Sequence, residues 1–412
     1  MTVTPPTVSP WTVRVAAQLT VLAAAAFIYV TAEILPVGAL PVIAADLNVS
    51  EGLVGTLMAG YALIAALTTV ALVRLTARWP RRRALLVTMV CLTVSQVISA
   101  MAPNFAVLAG GRVLCALAHG LMWSVIAPIG VRLVPPSHAG RATAAVYVGT
   151  GLALVVGNPL TAALSELWGW RQAVVAVAIA AAAVTLAARV LLPLMPAERA
   201  RAGSAGRPVH GRGLLTLSLL TLIGVTGHFV AYTFIVAIIR DVVGIDGPHL
   251  AWLLAGYGVA GLAAMAAMAA MARPLDLWPK ASVTAALVVL AASLVTLAVL
   301  SAQPRAGVTT GVVMVIGTVA IVLWGASSTA LPPMLQTSAM RTSPEDPDGA
   351  SGRYVAAFQV GIMTGALVGA GVYEAVGLTA MIGTAAVLIT AAMCGALAVR
   401  DVFNRSRDLS TR

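Results

Sequence analysis

Three ionisable side chains in long apolar stretches of this 412-residue sequence could bind protons or a polar ligand. Glu33 lies in the first apolar stretch, and Arg112 and His119 lie in the fourth. A charged side chain at the centre of a bilayer-spanning helix costs about 2.5–3.5 kcal/mol on insertion scales, so such residues usually serve a function. Because burial disfavours the charge of a carboxylate and a nearby cation favours it, proton binding at Glu33 can respond to a solute.

Arg112 and His119 are expected to share one face of a helix. They are seven residues apart, which corresponds to a rotation of about 700°, or nearly two full turns. Trp123, four residues beyond His119, lies close to the same stripe. Each ionisable residue also has a structural interpretation: Glu33 as the partner of a polar neighbour, Arg112 as a support for helix packing, and His119 as a hydrogen-bonded core histidine.

The second half of the sequence offers aromatic and amide groups rather than charges. His228 and Tyr232 are four residues apart and therefore lie on one helix face. Trp324 and Gln359 occur in later apolar stretches. Such groups suit a mostly apolar binding pocket with a few orienting hydrogen bonds, and they suit a helix core equally well.

Membrane-spanning helices must position these residues. The sequence is 60% hydrophobic and 9% charged, whereas an ordinary soluble domain is roughly 25% charged. A helix needs about 20 apolar residues to cross a bilayer. Twelve runs of this kind lie near residues 15–40, 53–75, 84–103, 105–131, 141–165, 172–194, 214–239, 248–272, 280–302, 307–335, 350–373 and 377–399. The sequence therefore predicts an all-α membrane protein, and its transmembrane helices are called spans 1 to 12 below.

The net charge of +11 follows membrane topology and gives no reason to expect a nucleic-acid partner. If the loops alternate between the two sides and both termini are inside, 21 of the 25 lysines and arginines lie inside. Arg171, Arg240 and Arg305 lie outside, and Arg112 lies within a span. An excess of basic residues in cytoplasmic loops sets the orientation of membrane proteins. We therefore expect an integral protein of the cytoplasmic membrane with both termini in the cytoplasm.

Span 1 is expected to be retained in the protein. Arg14 followed by small residues at 23–26 resembles a cleavable signal, but the apolar run exceeds the usual signal core of about 7–15 residues.

One long polar loop divides the chain into two halves. The predicted segments are a tail at 1–14, a six-helix bundle at 15–194, a linker at 195–213, a second six-helix bundle at 214–399 and a tail at 400–412.

The two halves repeat one another. Ala59-Gly60-Tyr61 recurs as Ala255-Gly256-Tyr257, and Trp79-Pro80-Arg81 recurs as Trp278-Pro279-Lys280. Small residues at every fourth position of span 5 have counterparts in span 11, and such stripes predict close helix packing where two halves could rock. These stripes are Gly149, Ala153 and Gly157, and Gly361, Gly365 and Gly369. Membrane proteins built from two parallel repeats usually move a solute through the seam between them.

Several motifs resemble the major facilitator superfamily, in particular the drug:proton antiporters of the sugar-efflux and arabinose-efflux branch. The matching segments are Thr31–Pro41 with Asp46 after it, Leu108 with Arg112, His119–Trp123, Gly157–Leu160 and Gly169–Arg171. The resemblance covers roughly residues 15–400. It implies two pseudo-symmetric six-helix bundles, and it makes Asn158 a further candidate for lining a substrate site.

Basic residues between spans 2 and 3 are candidates for an inner gate. Arg78 or Arg82 could engage a helix carboxyl end, which attracts cations, or an acid of the other half. The same cluster also suits topology and contact with anionic lipid. The family pattern has an acid in this loop where this sequence has Ala77, whereas the second-half copy keeps Asp276. The acidic stretch at 341–353 is interpreted as a solvated loop.

The function that these features predict is secondary transport. The sequence has no nucleotide-binding P-loop, no zinc-protease helix and no nucleophile elbow, so neither an enzyme nor a cofactor is expected. The three cysteines occur in predicted spans without metal-ligand spacing, and no metal site is expected. We expect a monomer that exports a sugar or a drug-like solute in exchange for protons. The alternatives are a proton-independent facilitator or importer and, more remotely, a membrane sensor or scaffold.

Overall fold

The computed structural model describes residues 11–195, 211–270, 278–303 and 310–399, and these residues form helices and turns without a strand. Twelve of the described helices are long and apolar enough to cross a membrane, which confirms the predicted fold class. The helical segments of spans 1 to 6 are Val13–Gly38 with Leu40–Leu47, Glu51–Leu75, Arg81–Ala100, Phe105–Arg132, Ala139–Leu152 with Ala153–Gly157 and Asn158–Trp168, and Trp170–Leu191. Those of spans 7 to 12 are Arg212–Tyr232 with Ile235–Ile238 and Ile239–Val243, Gly247–Ala270, Pro279–Ala302, Thr310–Thr342, Pro347–Val376 and Leu378–Ala398.

Polar side chains and glycines set several of the helix ends. The side chains of Thr12, Ser50 and Asn104 each accept a hydrogen bond from a backbone N–H in the first turn of the helix that follows. Gly169 and Gly377 have φ angles of 92° and 103°, a conformation that favours glycine. Because each of these glycines ends one span immediately before the next begins, equivalent tight turns close both halves.

Spans 1 to 6 form the N-terminal half and spans 7 to 12 form the C-terminal half. Across the seam, span 11 packs on spans 2 and 4, and span 5 packs on spans 8 and 10. Gly352 faces Val73 at the first of these contacts, and Gly151 faces Leu262 at the second. We call the face that carries Arg81 and Arg132 the basic face; there spans 2 and 3, spans 4 and 5, and spans 10 and 11 are connected.

The glycine stripes of spans 5 and 11 lie inside the halves, so their predicted place at the rocking seam is wrong. A methyl group at Gly149 would overlap the carbonyl oxygen of Ala23 in span 1, and one at Gly157 would overlap the Thr31 hydroxyl. Gly361 and Gly365 face span 7 in the same way. The stripes therefore bring spans 5 and 1, and spans 11 and 7, into backbone contact within each bundle.

The predicted linker lies mostly outside the described residues, since residues 196–210 are not described. The acidic stretch after span 10 is largely helical, because span 11 begins at Pro347. The Asp346 side chain accepts the backbone N–H of Gly349 at 2.9 Å and caps this helix. Asp348 is only 3% exposed, so the expectation of a solvated loop is wrong at this residue.

Candidate functional site

Arg112 fastens span 4 to the backbone of span 1. Pro36 lies inside the first helix, and because proline has no N–H, the carbonyl of Ala32 four residues earlier lacks its helical partner. Arg112 Nη1 donates to that carbonyl at 2.6 Å, and Nη2 donates to the carbonyl of Glu33 at 2.7 Å. The arginine is 4% exposed. It thus satisfies the backbone that proline leaves open and fixes the position of Glu33.

The Glu33 carboxylate is left without an arginine partner by this arrangement. Its Oε2 lies 3.7 Å from Nδ1 of His119, and the side chains of Glu33 and His119 are 22% and 5% exposed. In the described part of the structure, this long contact with His119 is the ion pair that the carboxylate makes. Glu33 is therefore both accessible and weakly paired, which are the conditions under which a carboxylate can exchange a proton or bind a ligand.

His119 connects Glu33 to Tyr61 of span 2. The same Nδ1 lies 2.8 Å from the Tyr61 hydroxyl, and the ring planes cross at 85°. When the ring carries its proton on Nε2, the hydroxyl donates to Nδ1; when Nδ1 is protonated, it can donate to the Tyr61 oxygen or towards Glu33. The Arg112 guanidinium lies 5.1 Å from the Tyr61 ring centre. Three spans therefore hold one short chain of polar groups.

Trp123 lies between this group of polar side chains and the seam of the two halves. Its ring centre is 6.3 Å from that of His119 and 5.4 Å from that of Tyr147. Its backbone carbonyl accepts a hydrogen bond from Gln336 of span 10 at 2.9 Å. Gln336 is fully buried, accepts the Tyr147 hydroxyl at 2.8 Å and donates to Ser351 at 2.8 Å. Gln336 could not be identified from the sequence, because an amide in an apolar run gives no sign of its partners.

An aromatic cluster occupies the C-terminal half. The His228 and Tyr232 rings stack with an interplanar angle of 23°, so the two residues share a helix face. Trp324 Nε1 donates to Nδ1 of His228 at 3.0 Å. Tyr257 adds a ring that crosses Trp324 at 85°. The structure therefore brings together His228, Tyr232 and Trp324, as the sequence suggested. None of the four residues of this cluster is a carboxylate.

The two halves carry equivalent tyrosines with unlike partners. Tyr61 and Tyr257 end the repeated Ala-Gly-Tyr segments of spans 2 and 8. Tyr61 bonds to His119 of span 4, and the Tyr257 hydroxyl lies 2.8 Å from the Ser328 hydroxyl of span 10. Both tyrosines bond to the fourth helix of their own half, but the partner is a histidine in the first half and a serine in the second. The repeat was the sequence signal that could have identified both tyrosines.

The remaining candidates lie apart from these clusters. Gln359 is buried in span 11. Asn158 begins the last helical segment of span 5, and its side chain is outside the described part of the structure. Asp276 also lies outside the described residues.

The two predicted gate arginines remain within their own half. Arg78 is exposed at the turn after span 2. Arg82 Nη1 donates to the carbonyl of Leu192 at 3.0 Å, at the carboxyl end of span 6. Lys280 makes the equivalent contact in the other half, donating to Val399 at 3.0 Å. These bonds tie the third helix of each bundle to its sixth.

Asp348 joins the two halves at the basic face. Its Oδ2 lies 2.7 Å from Arg81 Nε and 2.8 Å from Arg132 Nη2, and the aspartate side chain is 4% exposed. The two arginines belong to spans 3 and 4, whereas Asp348 begins span 11. The loop after span 2 has Ala77 where the family pattern has an acid, and Arg81, which follows that loop, pairs with an acid of the opposite half. We call Arg81, Arg132 and Asp348 the basic-face lock.

Comparisons with known proteins agree with this architecture. The sequence profile of the Major Facilitator Superfamily matches residues 22–349. Chloramphenicol efflux pumps from two strains of Mycobacterium tuberculosis, CDC 1551 and H37Rv, are each 59% identical over 400 residues, covering 96% of this chain and 95% of the pump. The human organic anion transporter MFSD10 superposes with a TM-score of 0.75 at 16% identity, covering 95% of this chain and 100% of the other.

A second solved structure shares the fold. The transporter FucP in its outward conformation has a TM-score of 0.71 at 14% identity, covering 92% of this chain and 97% of the other. The match of the family profile spans well over half of the sequence, and the twelve spans form the expected pair of bundles. This chain therefore belongs to the Major Facilitator Superfamily of membrane transporters.

Proposed function

We propose that this protein exports a small drug-like solute of the chloramphenicol type in exchange for protons. The observation that carries the proposal is the weakly paired Glu33 carboxylate beside His119, within a transporter fold. The high identity to two named chloramphenicol efflux pumps supports the direction and the substrate class. A site that binds a proton or a solute, but not both together, would couple their opposite movements.

The basic face is the cytoplasmic face in this proposal. The distribution of lysine and arginine supports this orientation. The protein then lies in the plasma membrane with both termini in the cytoplasm. The basic-face lock then closes the cytoplasmic side. Glu33 lies in the last third of the helix Val13–Gly38, away from that lock. In this proposal protons reach Glu33 from outside while the lock is closed, and opening of the lock exposes the site to solute inside.

The proposed substrate is drug-like rather than a sugar. A sugar presents many hydroxyl groups that need hydrogen-bond partners, whereas the aromatic cluster around His228 and Trp324 offers mainly ring faces. Apolar pockets with few polar groups suit neutral aromatic compounds. Because one chain holds both halves of the pathway, we propose that the monomer is the functional unit.

Transport by the purified protein in liposomes tests the proposal. Liposomes with an acidic lumen should accumulate labelled chloramphenicol, because protons leaving the lumen drive solute entry through an antiporter. A protonophore should abolish this accumulation, and an excess of unlabelled glucose should not compete. Equilibration without accumulation would instead support a facilitator.

Counterflow separates transport from a scaffold role. Liposomes loaded with unlabelled chloramphenicol should take up the labelled compound transiently without any pH gradient. Equal behaviour of protein-containing and empty liposomes would reject transport of this compound. The same assay with labelled glucose would then decide whether that sugar is carried.

A further inference from the structure

The C-terminal half contains a cavity that is separate from the Glu33 site. Its volume is about 110 Å³, and it lies among spans 7, 9, 10, 11 and 12. No residue of the N-terminal half lines it in the described structure. A cavity enclosed by one bundle does not depend on how the two halves are placed across the seam.

The cavity is apolar apart from two residues. His228 and Ser328 supply its polar groups, and the other lining residues are aliphatic, aromatic, proline or glycine. Phe229 and Phe358 contribute rings to the wall. A cavity of about 150 Å³ lined by Leu, Ile and Phe binds benzene. The space is thus of the order required by a single aromatic ring.

The hydrogen bond between Trp324 and His228 fixes the protonation of the histidine. An indole N–H can only donate, so His228 Nδ1, 3.0 Å away, must accept. An imidazolium ion has no accepting nitrogen, and the ring is therefore neutral with its hydrogen on Nε2. The Nε2–H is therefore the hydrogen-bond donor of this ring. The ring is held by stacking on Tyr232 and by the edge contact with Phe229.

Ser328 is already engaged. Its Oγ lies 2.8 Å from the Tyr257 hydroxyl and 3.4 Å from the carbonyl of Gly325. Of the two polar residues in the wall, His228 is thus the one with a donor to spare. A ligand that carries an acceptor can bind the N–H of this half-buried histidine.

We propose that this cavity binds neutral single-ring aromatic compounds that carry one hydrogen-bond acceptor. The ring occupies the apolar space, and the acceptor takes the Nε2–H of His228. Compounds of this class dissolve in bilayers and reach the cavity between the spans. His228 belongs both to this cavity and to the aromatic cluster, so the ligand class rests on the proposed function, whereas binding to the cavity does not depend on proton coupling.

Ligand-dependent thermal unfolding of the purified full-length protein tests the proposal. Acetophenone and ethylbenzene have nearly the same shape, but only acetophenone has an acceptor oxygen. Because a ligand that binds the folded state raises the unfolding temperature, acetophenone should stabilise the protein with a saturable dose dependence. Ethylbenzene should bind about tenfold more weakly, as expected from a lost hydrogen bond in an apolar site. Equal affinities for the two compounds would overturn the proposal.

Variants locate the binding. Ala392 lines the cavity, so Ala392→Leu should fill it and abolish stabilisation by either compound. Ala182 is an exposed residue of span 6, and Ala182→Leu is the matched control that should retain both. His228→Phe should remove the preference for acetophenone while retaining ring binding. Unchanged stabilisation by acetophenone in folded Ala392→Leu protein would show that it binds elsewhere; if that variant does not fold, the His228→Phe result decides.

Discussion

Glu33 and Arg112 carry opposite charges on neighbouring spans, yet their side chains do not pair in the described structure. The guanidinium is engaged by two backbone carbonyls at 2.6 and 2.7 Å. The carboxylate faces His119 at 3.7 Å. The two residues therefore differ in their contacts: Arg112 positions the backbone of span 1, and the Glu33 carboxylate is left free of the guanidinium. In the proposed function, Glu33 is the group that exchanges a proton. A tight ion pair would have held the carboxylate in its charged form.

We expect Glu33→Gln to abolish proton-driven export and to retain exchange of solute for solute. Glutamine keeps the size of the side chain and cannot bind a proton at neutral pH. In liposomes with an acidic lumen, accumulation of chloramphenicol should fall by roughly tenfold or more, which corresponds to about 1.4 kcal/mol of lost coupling. The rate of counterflow should stay within about twofold of the wild-type rate, a difference of less than about 0.5 kcal/mol.

Glu166→Gln is the control for this measurement. Glu166 is exposed in the last helical segment of span 5, so the same substitution there should change neither assay. Wild-type accumulation by Glu33→Gln would remove Glu33 from the coupling mechanism.

Arg112→Lys is expected to destabilise the protein although it conserves charge. An ammonium group is a compact point charge and lacks the planar fork that reaches both carbonyls. Loss of one charged hydrogen bond should lower the stability by on the order of 1.5–3 kcal/mol. Thermal unfolding of the purified protein measures this, with Arg240→Lys as the control because Arg240 is exposed. A melting temperature equal to that of the control would contradict the backbone-fastening role.

The spans themselves are held together by small residues placed inside each bundle. Gly149 allows span 5 to touch the backbone of span 1, and Gly365 allows span 11 to touch span 7. Backbone contact of this kind is how apolar helices associate in a bilayer, since the lipid offers no hydrophobic driving force between them. The bundles are thus close-packed units. Relative motion of the halves then takes place at contacts with larger side chains, such as Leu262 against Gly151.

Gly149→Ala and Gly371→Ala should change stability in opposite directions. A methyl group at Gly149 would overlap backbone atoms of Ala23, which cannot move aside as a side chain would. Such overpacking costs about 1–3 kcal/mol. Gly371 faces open space, and replacing a helical glycine by alanine there should stabilise by roughly 0.5–1 kcal/mol. Paired thermal unfolding curves measure both, and similar shifts for the two variants would contradict the assigned packing.

The whole molecule is joined across the seam by buried polar links. The basic-face lock pairs one aspartate with arginines of two spans. Apart from this lock, hydrogen bonds of Gln336 link spans 4, 5, 10 and 11. Removing one member of a buried ion pair is strongly destabilising, because the remaining charge is left without compensation. These links therefore favour the conformation in which the basic face is closed.

We expect Asp348→Asn to shift the protein towards the state with an open basic face. Arg81 and Arg132 would lose their shared acid, and their repulsion would favour separation of the halves. Ser338 is buried beside the seam, so Ser338→Cys, made after replacement of the three native cysteines, reports opening. Its rate of labelling by a polar maleimide should rise by roughly tenfold, the change that about 1.4 kcal/mol produces.

Glu345→Gln is the matched control, because Glu345 is exposed three residues before Asp348. This substitution should leave the labelling rate of the reporter cysteine unchanged. Equal labelling rates in the two variants would show that Asp348 does not hold the basic face closed.

Hydropathy determined the twelve spans and the small number of charges inside them, and the repeated segments with the polar loop between them indicated the two halves. These properties depend on the solvent preference of one helix at a time, and a duplicated sequence shows its repeat directly. The local spacing also placed Arg112, His119 and Trp123 on one side of span 4, where all three are buried.

Only the tertiary structure decided which groups meet. Arg112 bonds to carbonyls 79 and 80 residues away, and Arg132 pairs with Asp348 across 216 residues. The cluster of charges at 341–353 indicated a solvated loop around Asp348, because the sequence does not show that spans 3, 4 and 11 converge there. Partner choice depends on how helices pack and on which backbone groups are left unsatisfied. Neither the packing of the helices nor the pairing of their free backbone groups is a property of a single span.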